Sequence, residues 1–169
     1  MVMNEKYSHH HDWRQVHLGR LLGEAMRRFD EKVLFLMSND SEVPLALANL
    51  AARDQITAAH IHITRHLAME GSRLTELAQS AGVTKQGMSE LVNQCVNWGL
   101  VQKCEDPSDA RAKIIKFTDA GISWLKAFER AVRVAELEFH EEVGKDVATV
   151  TELALEVYTQ EQIKQRPRL

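Results

Sequence analysis

The stretch from Leu74 to Gly121 constrains the fold of this chain more than any other part of it. Leu74, Leu77, Ala78 and Ala81 recur at helical spacing, which gives one short helix a buried side. Gly82 breaks that pattern, Val83 is placed to tuck behind the turn, and Thr84 is a good N-cap for the next helix. That second helix sets Met88, Leu91, Val92, Cys95, Val96 and Trp98 on its apolar and half-buried side. Lys85, Gln86, Ser89, Glu90 and Asn93 are left on its outer face. Two strand-like runs follow, Leu100–Cys104 and Ile114–Phe117. The nine residues between them, Glu105 to Lys113, contain Pro107, Ser108 and two Asp as turn chemistry. Thr118 then caps a long helix beginning near Asp119. Helix, turn, helix and hairpin in this order predict a winged helix: a mainly α fold with a small β-wing.

Such an order sets one polar helix face and one charged hairpin tip side by side, a shape that straddles a DNA groove and its flank. Thr84, Lys85, Gln86, Ser89 and Asn93 have the lengths and donors to meet phosphates and base edges near the start of a helix. Lys85 is expected on phosphate, and Gln86, Ser89 and Asn93 on bases. At the hairpin, Asp109, Arg111 and Lys113 complete the expected contact set. An Asp two residues before an Arg can hold the guanidinium in one pose, which suits a narrow, electronegative minor groove. Polar helix faces and surface ion pairs are common, so the order of elements carries the inference rather than any one residue.

The run Asp109-x-Arg111, five residues, then Phe117-Thr118-x-x-Gly121 resembles the wing signature of the MarR (multiple antibiotic resistance regulator) family. Ile56-Thr57-x-x-His60 resembles the start of that family's second helix, and Leu77-Ala78 with Gly82-Val83-Thr84 its helix-turn-helix. Three positions depart from the usual pattern: Ala110 and Lys103 stand where Arg is usual, and His60 where Gln is frequent. The first two thin the positive charge of the wing. The resemblance implies a non-enzymatic, dimeric transcriptional regulator, in most members a repressor, on a palindromic operator in double-stranded DNA. It also implies release by a small, often aromatic, acid bound between the dimer helices and the winged helix.

The ends of the chain agree with a dimer. Trp13, Leu18, Leu21, Leu22, Ala25, Phe29, Val33 and Leu36 keep a three-to-four spacing over residues 12–37, about seven turns of helix. Ile122, Leu125, Phe128, Val132, Ala135 and Phe139 repeat it, Gly144 punctuates, and Val147, Val150, Ala154 and Val157 mark a last helix. Residues 12–37 and 119–165 are therefore expected as dimerisation helices around a winged helix-turn-helix at 56–118, all in one domain spanning 1–169. Their apolar surface exceeds what one small core covers, and a homodimer would bury it.

Composition fits a small cytoplasmic protein: 169 residues, 44% hydrophobic, two cysteines, and no stretch suited to a signal peptide or a membrane span. Net charge is −3, and between Thr84 and Thr118 five Lys and Arg face four Asp and Glu, a balance of +1. DNA binding then depends on local placement and is expected to be salt-sensitive, with low nonspecific affinity. His17, Arg20 and His60 are the candidate effector ligands, an imidazole and a guanidinium being suited to a carboxylate in an apolar crevice. A lone His on an apolar face is, however, most often a hydrogen-bonded core residue. In His60-Ile-His62-x-x-x-His66 only His62 and His66 face together, and four-coordinate zinc needs more ligands. A zinc-responsive regulator thus stands as an alternative, as does a winged-helix protein-interaction module without DNA binding. No metal site and no cofactor are assigned. An enzyme is not expected, since the chain has no Gly-rich phosphate loop, nucleophile elbow or paired metal motif. The run His9–His11 is given no structural role.

Overall fold

A computed structural model of the chain describes residue 14, residues 16–53 and residues 55–165. Trp13 and His9–His11 lie outside the described residues. Along the chain run α1 (Leu18–Ser38), α2 (Leu45–Ala52), α3 (Ala58–His66), β1 (Ser72–Arg73), α4 (Leu74–Ala81) and α5 (Lys85–Asn97). They are followed by β2 (Val101–Asp106), β3 (Asp109–Phe117), α6 (Asp119–Val143) and α7 (Lys145–Gln165). The fold is mainly helical, with one three-stranded antiparallel sheet in the order β1-β3-β2. Two compact units divide the chain, Met1–Ala131 and Val132–Leu169, with the boundary inside α6. No described helix is long and apolar enough to cross a membrane.

In the first unit the core is built from Val33 and Met37 of α1, Leu47 of α2, Ile61 and Ile63 of α3, and Leu77 of α4. Met88 and Val92 of α5, Val101, Ile115 and Trp124 complete it. The Trp124 indole N–H donates to Thr64 Oγ1 at 3.2 Å, so its one polar atom is satisfied inside the core. α1 carries a buried carboxylate, Asp30, which pairs with Arg65 of α3. Asp40, just beyond α1, accepts from Arg130 Nη2 at 2.7 Å and Nε at 2.9 Å.

Four features differ from the sequence reading. α1 begins at Leu18, not at residue 12: His17 is its N-cap, and the His17 ring accepts from the Arg20 backbone N–H at 3.2 Å. Only the second half of its apolar stripe is covered, while Leu18, Leu21, Leu22 and Met26 remain exposed. Helix α2 is a further element that the sequence reading does not contain. Pro44 reads as a stop, yet its carbonyl accepts from Leu47 and Ala48 and so opens a Leu/Ala-rich helix. The segment after Thr57 is consequently the third helix. Finally, Ser72 and Arg73 pair with Ile115 and Ile114 as a short edge strand that no periodicity marks.

The hairpin is also tighter than expected. Asp106 Oδ1 accepts from the Ser108 backbone N–H at 2.8 Å and from the Ser108 hydroxyl at 2.7 Å. This side-chain-closed turn leaves only Pro107 and Ser108 between the strands, in place of a nine-residue loop. Glu105 lies opposite Lys113 and Asp106 opposite Asp109, so residues 110–112 bulge from β3 with no counterpart on β2.

The second unit joins the end of α6 to α7 through Gly144, whose φ of 86° gives the left-handed turn glycine adopts without strain. His140 Nε2 lies 2.7 Å from Glu152 Oε1, and Ala148 is fully buried. Leu137, Val147, Val150, Leu153, Val157 and Tyr158 are exposed.

Candidate nucleic-acid interface

The turn between α4 and α5 is built as the sequence predicts. Gly82 has φ of 68°, and Val83 N–H reaches back to the Ala78 carbonyl at 3.0 Å. Thr84 caps α5, its hydroxyl accepting from Gly87 N–H at 3.1 Å. Met88, Val92 and Cys95 are buried, which turns the opposite side of α5 outward. Lys85, Gln86 and Asn93 are exposed there and Ser89 is half-exposed, at helical spacings that keep Gln86, Ser89 and Asn93 on one face. Asn93 Oδ1 accepts from Lys103 Nζ of β2 at 2.6 Å, so the helix face and the hairpin are directly tied.

On the hairpin, the Asp109–Arg111 pairing takes a different form from the one expected. Asp109 Oδ1 accepts from the backbone N–H of Arg111 at 3.0 Å rather than from its guanidinium. The carboxylate therefore shapes the bulge, and the exposed Arg111 side chain projects from it. Lys113 lies 3.5 Å from Glu105 in a loose exposed pair.

Two residues absent from the expected set hold the wing in place. Arg73, where β1 meets α4, donates to the buried Asp106 carboxylate from Nε at 2.6 Å and lies 2.5 Å from it through Nη2. It also reaches Ser108 Oγ at 3.2 Å. The Ser108 hydroxyl and N–H, and then Arg73, hold the Asp106 carboxyl at about 2, below its ordinary 3.8. A sequence signal existed, since Asp-Pro-Ser is a turn-forming run, but the arginine partner lies 33 residues upstream.

Gly121 completes the frame. A Cβ there would stand 2.0 Å from the Leu100 carbonyl oxygen, so only glycine lets α6 start against the foot of the wing. Thr118 Oγ1 donates to the Gly99 carbonyl at 2.5 Å and accepts from Gly121 N–H at 3.0 Å. Phe117-Thr118-x-x-Gly121 is thus a joint between sheet and helix.

Residues 54–112 match the MarR family profile. Solved structures of transcriptional regulators superpose over most of the chain. A transcriptional repressor, CouR, bound to a 23-mer DNA duplex, aligns over 94% of this chain and 98% of its own at 21% identity, with a TM-score of 0.65. Wild-type apo MarR from E. coli aligns over 84% and 97% at 21% identity, TM-score 0.62. The regulator BldR from Sulfolobus solfataricus aligns over 85% and 90% at 17% identity, TM-score 0.60. The chain has the MarR-family fold. A search of curated proteins gives no significant match.

Within this MarR fold the three candidate effector residues are not brought together by any bond of His60. Its Nδ1 accepts from Thr57 N–H at 3.1 Å, with the Thr57 hydroxyl at the same distance, and Nε2 lies 2.5 Å from Gln94 Oε1. An accepting Nδ1 assigns the proton to Nε2, which donates to Gln94. His60 thereby does for α3 what Glu or Gln does in a capping box, and it ties α3 to α5. Its ring also packs on Trp98, centroids 4.8 Å apart. The cavity beside it, lined by His60, Thr64, Cys95, Phe117 and Trp124, measures about 10 Å³, room for one water and no organic acid. His17 caps α1, and Arg20 is exposed on its first turn. His62 and His66 stack with ring centroids 6.1 Å apart. Among the described residues no group of three or more His, Cys, Asp or Glu side chains is arranged to hold a metal ion.

Proposed function

We propose that this protein is a DNA-binding transcriptional regulator that acts as a homodimer on a palindromic operator. The observation that carries the reading is the exposed face of α5, Lys85, Gln86, Ser89 and Asn93, bonded sideways to a wing that carries Arg111 and Lys113. A face of this chemistry fits the major groove, and a cationic bulge beside it fits the flanking minor groove. The DNA-bound CouR structure, sharing this fold, supports the same reading. Dimerisation is supported by the uncovered stripe Leu18, Leu21, Leu22 and Met26, and by the exposed apolar residues of α7.

Repression relieved by a small organic acid is the regulatory part of the proposal. With both His60 nitrogens engaged inside the fold, the cationic partner assigned to such an acid is Arg20, beside the uncovered leucines of α1. A second copy packed on that stripe would enclose the site. The metal alternative has only the His62–His66 pair in its favour and would need ligands from that second copy.

The test is selection from a randomised duplex pool with the full-length protein, followed by salt-titrated binding of the selected duplex. Arg111→Ala is expected to weaken binding roughly tenfold or more at low salt. Gln86→Ala shifts the preferred base at one position, and Lys85→Ala weakens all sequences alike. A wild-type protein that enriches no sequence and binds no duplex refutes the proposal in favour of a protein-interaction module.

A further inference from the structure

Asn93 stands on the groove-facing side of α5, and the sequence alone makes it a reader of bases. Adenine is the base that an asparagine amide matches, because its N7 accepts and its N6 donates, which calls for a free oxygen and a free nitrogen together. In this protein that oxygen already accepts from a lysine. Lysine has donors only, so the 2.6 Å contact with Lys103 Nζ fixes Oδ1 toward β2 and leaves the Asn93 NH₂ facing out. The pair therefore offers the two amide hydrogens and the remaining ammonium hydrogens, against one leftover lone pair on Oδ1 beside a cation. Its complement is an anion or an acceptor-only edge.

Position chooses between these. Asn93 lies seven residues beyond Gln86, about 10 Å further along the helix axis. Base contacts of a groove-entering helix come from its N-terminal residues, and later turns pass the groove wall. Lys103 belongs to the wing strand, so its charge sits beside the helix rather than along its axis, where the wall phosphates run. Resting on the DNA-binding reading above, we infer that Asn93 and Lys103 form one donor-rich, cationic clamp for a backbone phosphate between the major-groove helix and the wing. Lys103 supplies the charge, and Asn93 holds the ammonium in place and adds a hydrogen bond. Because the clamp makes no distinction among bases, it contributes affinity and register but no sequence preference.

The experiment compares wild type, Asn93→Ala, Asn93→Asp and Lys103→Met as full chains. Binding is followed by fluorescence anisotropy across a salt series, on the selected duplex and on a scrambled duplex of equal length. Lys103→Met is expected to reduce the slope of log K against log salt by about one. Asn93→Asp pairs its carboxylate with the lysine and repels the phosphate, so it should cost roughly tenfold or more on both duplexes. Asn93→Ala weakens both by one common, smaller factor. Each substituted side chain is exposed, so thermal midpoints stay near that of wild type. If Asn93→Ala instead changes the preferred base at one position with the salt slope intact, Asn93 reads a base and the clamp is refuted. Wild-type binding that none of the three variants alters refutes the clamp alone. A wild type without DNA affinity removes the DNA-binding reading and the clamp with it.

Discussion

Replacing His60 distinguishes a ring that holds the fold from one that waits for a ligand. Three contributions are lost in His60→Ala. The acceptor for Thr57 N–H disappears, worth about 1 kcal/mol as a helix cap. So does the donor to Gln94 Oε1, about 1 kcal/mol for a neutral hydrogen bond. Removal of a buried ring packed on Trp98 adds about 1–2 kcal/mol. Together they come to about 3–4 kcal/mol, which for a chain of this size lowers the thermal midpoint by roughly 6–16 °C. Calorimetry or circular dichroism at one fixed protein concentration measures it, since dimer dissociation would shift the midpoint with dilution. His60→Gln should recover much of the loss, because a glutamine at this position can accept from Thr57 N–H. Gln94→Ala should cost about 1 kcal/mol, and the double variant should show a coupling of similar size. A His60→Ala midpoint within roughly 2 °C of wild type, or a cycle with no coupling, would refute this account.

Three further outcomes follow from the wing and the core. The Asp106 carboxyl is held at about 2 against an ordinary 3.8, so its contribution is present above about pH 4 and lost as pH falls toward 2. Asp106→Asn should abolish that pH dependence in acid-unfolding curves of the two proteins. Gly121→Ala places a methyl group against the Leu100 carbonyl and should destabilise the fold by about 3 kcal/mol, read by urea denaturation. Burial pushes the Cys95 thiol up to about 12, so thiol reagents at pH 8 should label the half-buried Cys104 first and Cys95 only on unfolding.

What the sequence disclosed follows from the range of the interactions. Thr84, Gly82 and Gly144, and Thr118 in its capping of α6, act within one helical turn, and each is legible because that partner lies three or four positions away. The amphipathic faces of α4 and α5 were legible for the same reason, since periodicity is a local property. α2 was hidden because Pro44 is ambiguous: before a helix and after one, it reads alike. The tightness of the wing is not legible in the sequence because Asp106 needs Arg73, from another element, to bury its carboxylate and close the turn. His60 was ambiguous because Gln94 lies 34 residues away. The bond on Asn93 is not legible locally because its donor, Lys103, comes from β2. The polar face of α5 and the hairpin tip are thus legible as local structure, while their hydrogen-bond assignments, which decide what each donor is free to do, are not.

Among the described residues the order β1-β3-β2 leaves β2 with one unpaired hydrogen-bonding edge, and such an edge would ordinarily invite a second chain to add to it. Here that edge carries a built-in deterrent. Gln102, Lys103 and Glu105 are exposed along it, and Pro107 ends it at once. A foreign strand laid on β2 would have to strip water from a lysine and a glutamate. The 110–112 bulge twists the neighbouring strand away from the flat geometry that stacking requires. The features that keep this hairpin narrow, charged and kinked therefore also keep it from templating aggregation.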